Sequence, residues 1–168
     1  SDLYVLDFLA IAAGDLGSIA ERRTDRMLDK NRSFGLPPFL AEDAGVDSGF
    51  MIAQYTQAGL VSENKRLAAP ASVDSIPSSA MQEDHVSMGW HAARKLRQVV
   101  DNLRRIIAIE LMTAARGIEL RAPLRPAVRT AAVIADLRRT VPGHGPDRFL
   151  APELDAAVEF VARHDWRV

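Results

Sequence analysis

Apolar residues recur at steps of three and four along most of the chain, and no stretch shows the two-residue alternation of a half-buried strand. This spacing predicts helices over residues 3–29, 50–68, about 83–117, 127–139 and 153–163. In the first helix the predicted buried stripe is Leu6, Leu9, Ala13, Leu16 and Ala20. The pattern therefore predicts an all-α protein, a bundle of long helices without strands or repeats.

The third predicted helix is the longest and the most apolar. At about 1.5 Å per residue it would span roughly 50 Å. Its stripe consists of Leu96, Val100, Leu103, Ile107 and Leu111. A helix this long and apolar needs several partner helices, so we expect it to be buried in a larger assembly. Glu110, inside the apolar run, is expected to meet an arginine there.

Three smaller features carry expectations of their own. The charged end of the first helix, residues 21–26, is expected to be solvated surface with pairs four residues apart. The small residues Gly14 and Gly17 would let another helix approach closely. Ser48 or Asp47 is expected to cap the second helix, since short polar side chains accept hydrogen bonds from the first free amides of a helix.

The loop that precedes the third helix is unusually polar. Residues 82–85 read Gln-Glu-Asp-His, and Ser79 followed by Gln82 fits a capping box for that helix. Glu83 and Asp84 would then complement the helix dipole. Near a helix start inside a packed assembly, Glu83 would equally suit a tuned acid or base or the partner of a cationic ligand. The pattern alone supports capping and function equally.

Composition narrows the class of protein. The 168 residues are 48% hydrophobic and 26% charged, which indicates a globular domain, and the net charge of −1 gives no general argument for nucleic acid. The chain has no cysteine, which excludes disulfides and thiolate metal sites and fits a reducing compartment. No uninterrupted run of 18 apolar residues and no basic leader are present, so neither a membrane span nor a signal peptide is expected.

Basic residues concentrate in the middle of the chain, over 94–139. The basic face of the third helix comprises Arg94, Lys95, Arg97, Arg104 and Arg105. It lacks interleaved aromatic residues, so a solvated or intersubunit face is favoured over a phosphate-binding one. The four histidines show no pairing at four-residue spacing, so no metal site is predicted. Neither a phosphate-binding loop nor a G-x-S-x-G motif occurs.

Five short sequence blocks, taken together, resemble a known family. They are Gly35 to Leu40, Ser48 to Gln54, Ser62 to Lys65, Pro70 to Pro77, and Gln82 to Gly89. In order and spacing they resemble the histidine ammonia-lyases of the aromatic amino-acid lyase and aminomutase family. The resemblance is close over about residues 3–122 and looser over 123–168.

The resemblance implies that residues 1–168 are a C-terminal helical segment, with core helices over about 3–122 and smaller helices over 123–168. It implies a cytoplasmic homotetramer that eliminates ammonia from L-histidine to give trans-urocanate. The family's electrophile, 4-methylidene-imidazol-5-one (MIO), forms from an Ala-Ser-Gly tripeptide, which this sequence lacks. The N-terminal part that bears it would lie outside this chain, and the segment alone would be inactive.

At the level of residues, Glu83 matches the family's active-site glutamate near the substrate imidazole, and Gln82 matches a position that lines the same pocket. Relatives that act on phenylalanine or tyrosine typically have an amide in place of the glutamate. A carboxylate accepts a hydrogen bond from an imidazole and complements its charge, but gains nothing from a phenyl ring. The resemblance therefore favours histidine as the substrate.

Asp47-Ser48-Gly49 is the tripeptide nearest to the MIO precursor, but it falls on the family's structural Ser-Gly-Phe block. Met81 and Asp47 stand where many relatives have asparagine, which bears on fine specificity. Two alternatives remain open. One is another MIO enzyme, a tyrosine or phenylalanine ammonia-lyase or a 2,3-aminomutase, and the other is a non-catalytic helical oligomerisation module.

Overall fold

The computed structural model describes residues 2–143 and 145–166. Within these residues it contains five α-helices and no strand: α1 (Asp2–Leu28), α2 (Met51–Leu67), α3 (Gly89–Glu119), α4 (Val128–Leu137) and α5 (Ala151–Arg163), with a short 3-10 helix at Pro38–Leu40. The all-α prediction is confirmed. Helix ends agree with the sequence prediction within two residues or so, except for the start of α3, which lies six residues further on than expected.

Helix α3 is the axis of the fold. Its 31 residues extend over roughly 46 Å. Helices α1 and α2 pack against it and against each other, and α5 packs against its C-terminal half. The predicted arginine partner of Glu110 is Arg23 of α1, whose Nη2 donates to Glu110 Oε2 at 3.0 Å. Along α3, Val99, Ile106 and Ile109 are buried.

The buried face of α1 differs from the predicted stripe. It is made mostly of small and polar residues at alternating steps of four and three: Leu3, Asp7, Ala10, Gly14, Gly17, Glu21, Thr24 and Leu28, joined by Ala20. Leu9 and Leu16, predicted to be buried, are exposed. A Cβ on Gly17 would lie 3.2 Å from Ile106 Cδ1, so the glycine allows the close approach that its size predicted. The close contact of α1 with α3 requires small side chains. A prediction based on large apolar residues does not find this face.

Most of the large apolar residues of α1 point away from the rest of the chain. Those exposed are Tyr4, Val5, Phe8, Leu9, Ile11, Leu16 and Ile19. By length and composition alone this helix is able to cross a membrane, a criterion that core helices of soluble proteins also meet. The expectation of no membrane segment stays a prediction.

The charged end of α1 is only partly solvated. Glu21 is 4% exposed and Thr24 is fully buried, so the prediction of surface is wrong for both. Glu21 accepts a hydrogen bond from Gln54 Nε2 of α2 at 2.7 Å and pairs with Arg22, which stays exposed. Burial of the Glu21 carboxylate is tolerated because the hydrogen bond from α2 and the ion pair with Arg22 compensate for its lost hydration.

The segment that precedes α2 is held by a residue far away in the sequence. Asp147 accepts hydrogen bonds from the backbone N–H of Ser48 at 2.6 Å and of Gly49 at 2.9 Å. These two bonds lower the pKa of Asp147. Neither Ser48 nor Asp47 caps the helix, so that prediction is wrong. Asp47 instead accepts from the backbone N–H of Asp147 at 3.2 Å, which joins the segment before α5 to the segment before α2.

The C-terminal helices close one end of the core. Leu137, Val141 and Ala157 are fully buried in a cluster that includes Met112 and Ala115 of α3. Arg138 donates two hydrogen bonds, at 2.6 and 3.0 Å, to the carboxylate of Glu119. Pro152 lies in the first turn of α5, where the N–H that proline lacks would have no partner within the helix.

Candidate active site

The loop between α2 and α3 folds back on itself in a tight turn around the predicted site residues. Ser78 and Glu83 form an antiparallel bridge, with N···O distances of 3.0 and 3.3 Å. Between them, Ser79, Ala80 and Met81 have φ values of 53°, 53° and 71°. Positive φ costs a non-glycine residue about 1 kcal/mol or more, so three in succession indicate a constrained turn.

This turn removes the capping interpretation of Gln82 and Glu83. Helix α3 begins at Gly89, its N-cap is Met88, and no side chain caps it. Gln82 donates its backbone N–H to Ser79 O at 3.1 Å, a bond within the turn. The sequence pattern of a capping box was therefore misleading, because the positive φ at Ser79 directs the chain into a reversal instead of a helix.

The side chains of the turn are presented outward. Gln82, Glu83, Asp84 and His85 are all exposed. Within the described part of the chain, the side chains of Gln82 and Glu83 make no hydrogen bond or ion pair. Met81, beside them, is 70% exposed. A carboxylate and an amide on a constrained turn are available to a ligand or to another chain segment.

The loop is held internally and at its base. Higher in the loop, the N–H of Val86 donates to Ser75 Oγ at 2.8 Å. At the base, the N–H of Ser72 donates to the carboxylate of Asp7 in α1 at 2.8 Å. The same carboxylate pairs with Lys95 of α3 at 3.0 Å. The loop that carries Glu83 is thus attached to both long helices through one buried ion pair.

Asp7 stays ionised despite its burial. It is 2% exposed, and burial alone raises the pKa of a carboxyl group. The hydrogen bonds from the Ser72 N–H and from Lys95 outweigh burial and lower the pKa of Asp7 to about 2. Lys95 also donates to the carbonyl oxygen of Ala69.

The basic face of α3 divides into two parts. Arg94, Arg97, Arg104 and Arg105 are exposed, as expected for a solvated or intersubunit face. Lys95 is 8% exposed and belongs to the interior, so its assignment to that face is wrong. Its position, one turn beyond the buried Ala92, was the available signal. The matching signal in the partner helix was Asp7, a charged residue within the apolar α1.

The larger clefts of the described structure do not include the turn. A cavity of about 410 Å³ lies between α2 and the segment before α5, beside Arg116. Arg116 is 5% exposed, donates to Gly145 O at 3.0 Å and lies over the Phe50 ring at 5.2 Å. Burial, together with the nearby Arg148, lowers the pKa of Arg116. The candidate site at Gln82 and Glu83 is open on this chain.

Comparison with known proteins identifies the family to which this fold belongs. The family model for aromatic amino acid lyases matches residues 3–139, which is most of the chain. The chain belongs to the aromatic amino acid lyase family. The match extends past residue 122, where the close resemblance was expected to end, and includes all of α4.

Individual relatives of this family point to one branch of it. The chain is 76% identical over 159 residues to the histidine ammonia-lyase of Streptomyces avermitilis, covering 94% of this chain and 31% of the relative. The crystal structure of histidine ammonia-lyase from Trypanosoma cruzi superposes with a TM-score of 0.91 at 46% identity, covering 95% of this chain and 31% of that one. Tyrosine aminomutase from Streptomyces globisporus gives 0.88 at 38% identity, covering 96% and 31%.

The chain therefore spans about a third, 31%, of the lyases that it matches. Over that third, the chain has the fold of an aromatic amino acid lyase.

Proposed function

We propose that this chain is the C-terminal part of a histidine ammonia-lyase, an enzyme that breaks the Cα–N bond of L-histidine and gives trans-urocanate and ammonia. Its contribution to the site is the turn at Gln82 and Glu83. The observation that carries the proposal is the 76% identity to a histidine ammonia-lyase. The exposed carboxylate of Glu83 on a constrained turn supports it. A free carboxylate is the group that suits an imidazole substrate.

In this proposal Glu83 is the catalytic residue of the segment and accepts a hydrogen bond from an imidazole N–H of the substrate. The ionised carboxylate also stabilises any positive charge that the ring gains, and it fixes the ring's orientation. Gln82, next to it, binds the substrate through its amide. A phenyl or phenol ring offers no N–H at this place, which gives the carboxylate its selectivity.

The family's MIO group supplies an electrophile for the elimination. The residues of this chain do not fit its formation, because cyclisation requires Ala-Ser-Gly and the sequence has none. At the nearest tripeptide, Gly49 donates its N–H to Asp147 and its Cα lies against the chain, since a Cβ there would be 2.4 Å from Phe39 O. That tripeptide is a packing turn, and MIO would come from an N-terminal part of the same enzyme.

The proposed enzyme is a cytoplasmic homo-oligomer, a tetramer by family resemblance. The exposed apolar face of α1, with Phe8 67% exposed, supports burial of this helix in an assembly. The N-terminal part of the enzyme and further copies are its partners, and neither nucleic acid nor membrane is.

A hybrid enzyme tests the proposal. The segment of the Streptomyces avermitilis enzyme that matches this chain is replaced by residues of this chain, and the product is called the hybrid enzyme below. Incubated with L-histidine, it should produce urocanate, followed by its ultraviolet absorbance, at a rate within about tenfold of the unmodified enzyme. L-phenylalanine and L-tyrosine are run in parallel.

Two other outcomes define the alternatives. Preference for tyrosine or phenylalanine, or formation of a β-amino acid, would assign the chain to another MIO enzyme, for which the similarity to tyrosine aminomutase is the supporting observation. A well-assembled hybrid without turnover of any aromatic amino acid would favour the non-catalytic oligomerisation module.

A further inference from the structure

Both ends of the loop that carries Glu83 return to one seat on the long helices. The seat is made by Leu3 of α1 and Ala92 of α3, which form a small buried cluster with Ala71 at the loop's entry. Met88, at the loop's exit, packs against the same cluster. The seat therefore closes the loop at its base.

A buried ion pair completes this seat. Asp7 lies one helical turn after Leu3, and Lys95 lies three residues after Ala92, so both project to the same place. Their side chains are 3% and 9% exposed, and Nζ lies 3.0 Å from Oδ1. Few charged pairs are buried this deeply without further hydrogen bonds.

Each member of the pair uses a further bonding position on the loop backbone. Asp7 Oδ2 accepts from the Ser72 N–H at 2.8 Å, and Lys95 Nζ donates to the Ala69 carbonyl oxygen. Two backbone groups on either side of Pro70 are thereby fixed to two different helices. Proline at that position has no N–H of its own to contribute.

The contacts higher in the loop do not replace this attachment. The bond from Val86 to Ser75 Oγ and the bridge from Ser78 to Glu83 join one part of the loop to another. They make the loop a coherent unit but leave its placement relative to α1 and α3 to its base.

The pair Arg23–Glu110 shows what a plain helix-to-helix contact looks like in this fold. It joins the same two helices further along, its arginine is 53% exposed, and its two hydrogen bonds run from one side chain to the other. Helix attachment alone does not require burial of both charges or bonds to a loop.

We propose that Asp7 and Lys95 are positioning residues that clasp residues 69–72 and thereby fix where the turn presents Glu83. The inference rests on the function proposed above for Glu83. It assigns to a pair outside the turn the task of holding a catalytic carboxylate in register with its substrate.

The decisive variant in the hybrid enzyme is Asp7→Leu combined with Lys95→Met. Either change alone leaves one buried charge without its partner, which lowers stability and would obscure the effect on the loop. The double change removes both charges at similar volume, so the helices retain their packing while the backbone groups of Ala69 and Ser72 lose their partners. Arg23→Met combined with Glu110→Gln is the matched control, since it removes the other ion pair between α1 and α3.

Two measurements read the result. Amide hydrogen exchange in 71–88 should become at least tenfold faster in the double variant and stay unchanged in the control, with α1 and α3 protected in both. The kcat for L-histidine should fall at least tenfold, and Glu83→Gln should then cost much less in this background than in the parent, since a misplaced carboxylate has little left to lose.

Unchanged exchange in 71–88, or a Glu83→Gln effect of equal size in both backgrounds, would overturn the clasp. If the hybrid enzyme has no lyase activity, the function proposed above fails, and the exchange measurement still decides whether the pair holds the loop.

Discussion

Asp7 is the residue whose chemistry most shapes this chain. A carboxylate at 2% exposure is stabilised only because it accepts a backbone N–H and pairs with Lys95. Glu83 is its opposite, a carboxylate left open to solvent and to a ligand. The two illustrate that the charge of a residue does not fix its role, since burial and partners decide it.

The pKa of Asp7 predicts how stability depends on pH. Its pKa in the folded chain is about 2, against 3.8 for the ordinary group, so ionised Asp7 favours the folded state above pH 4 and this contribution is lost as the pH falls towards 2. Asp7→Asn removes the contribution, which amounts to about 2 kcal/mol. Urea unfolding of the hybrid enzyme should show that gap between parent and variant at pH 6 and below about 1 kcal/mol at pH 2.5. A gap of constant size over this range would contradict the assignment.

Residue-level prediction succeeded where a local pattern carried the information. The arginine partner of Glu110, expected from its place in an apolar run, is Arg23. The roles of Glu83 and Gln82, which rest on the block around them, stay predictions. Lys95 was misassigned to the surface, because its partner Asp7 lies 88 positions away and sequence spacing holds no record of such a contact.

At the scale of elements, two local patterns were misleading for physical reasons. The large apolar residues of α1 were predicted to face the core, but contact with α3 requires small residues such as Gly17, and the large ones face outward. Ser79 and Gln82 matched a capping box, but positive φ at Ser79, Ala80 and Met81 turns the chain back. Helix number and, apart from the start of α3, helix ends were predictable because apolar periodicity and prolines determine them locally.

The turn before α2 predicts a contrast between two glycines. Gly49 has φ of +58°, and a Cβ there would lie 2.4 Å from Phe39 O, whereas Gly45 has φ of +107° and open space around it. Gly49→Ala should therefore destabilise the hybrid enzyme by about 3 kcal/mol, from strain and backbone displacement together, and Gly45→Ala by about 1 kcal/mol. Urea midpoints compare the two, and equal losses would mean that the contact with Phe39 does not constrain the turn.

At the scale of the whole molecule, the chain is all-helical and spans about a third, 31%, of the lyases that it matches. In the proposed enzyme, the exposed apolar face of α1 and the open turn at Gln82 and Glu83 are covered by other parts of the assembly. Sequence patterns anticipated burial in an assembly from the apolar content of α3. Among the described residues, however, α3 exposes one large apolar side chain, Trp90, whereas α1 exposes seven.

Assembly should depend on that face. Phe8→Glu places a charge on the apolar surface of α1 and should reduce the mass of the hybrid enzyme in solution, measured by light scattering, towards that of smaller species. Asn31→Glu introduces the same charge at an exposed polar position after α1 and should leave the mass unchanged. A fully assembled Phe8→Glu enzyme would show that this face is not an interface.

The measurement that tests the central claim most directly is kcat/KM for L-histidine in the Glu83→Gln hybrid enzyme. The substitution keeps the shape of the side chain and removes the charge that complements the imidazole. A loss of at least a hundredfold is expected, equivalent to about 3 kcal/mol of transition-state stabilisation. Asp84→Asn, the same change at the next exposed position, should lose less than threefold. Turnover within threefold of the parent in the Glu83→Gln enzyme would contradict the assignment of Glu83 as the substrate-facing carboxylate.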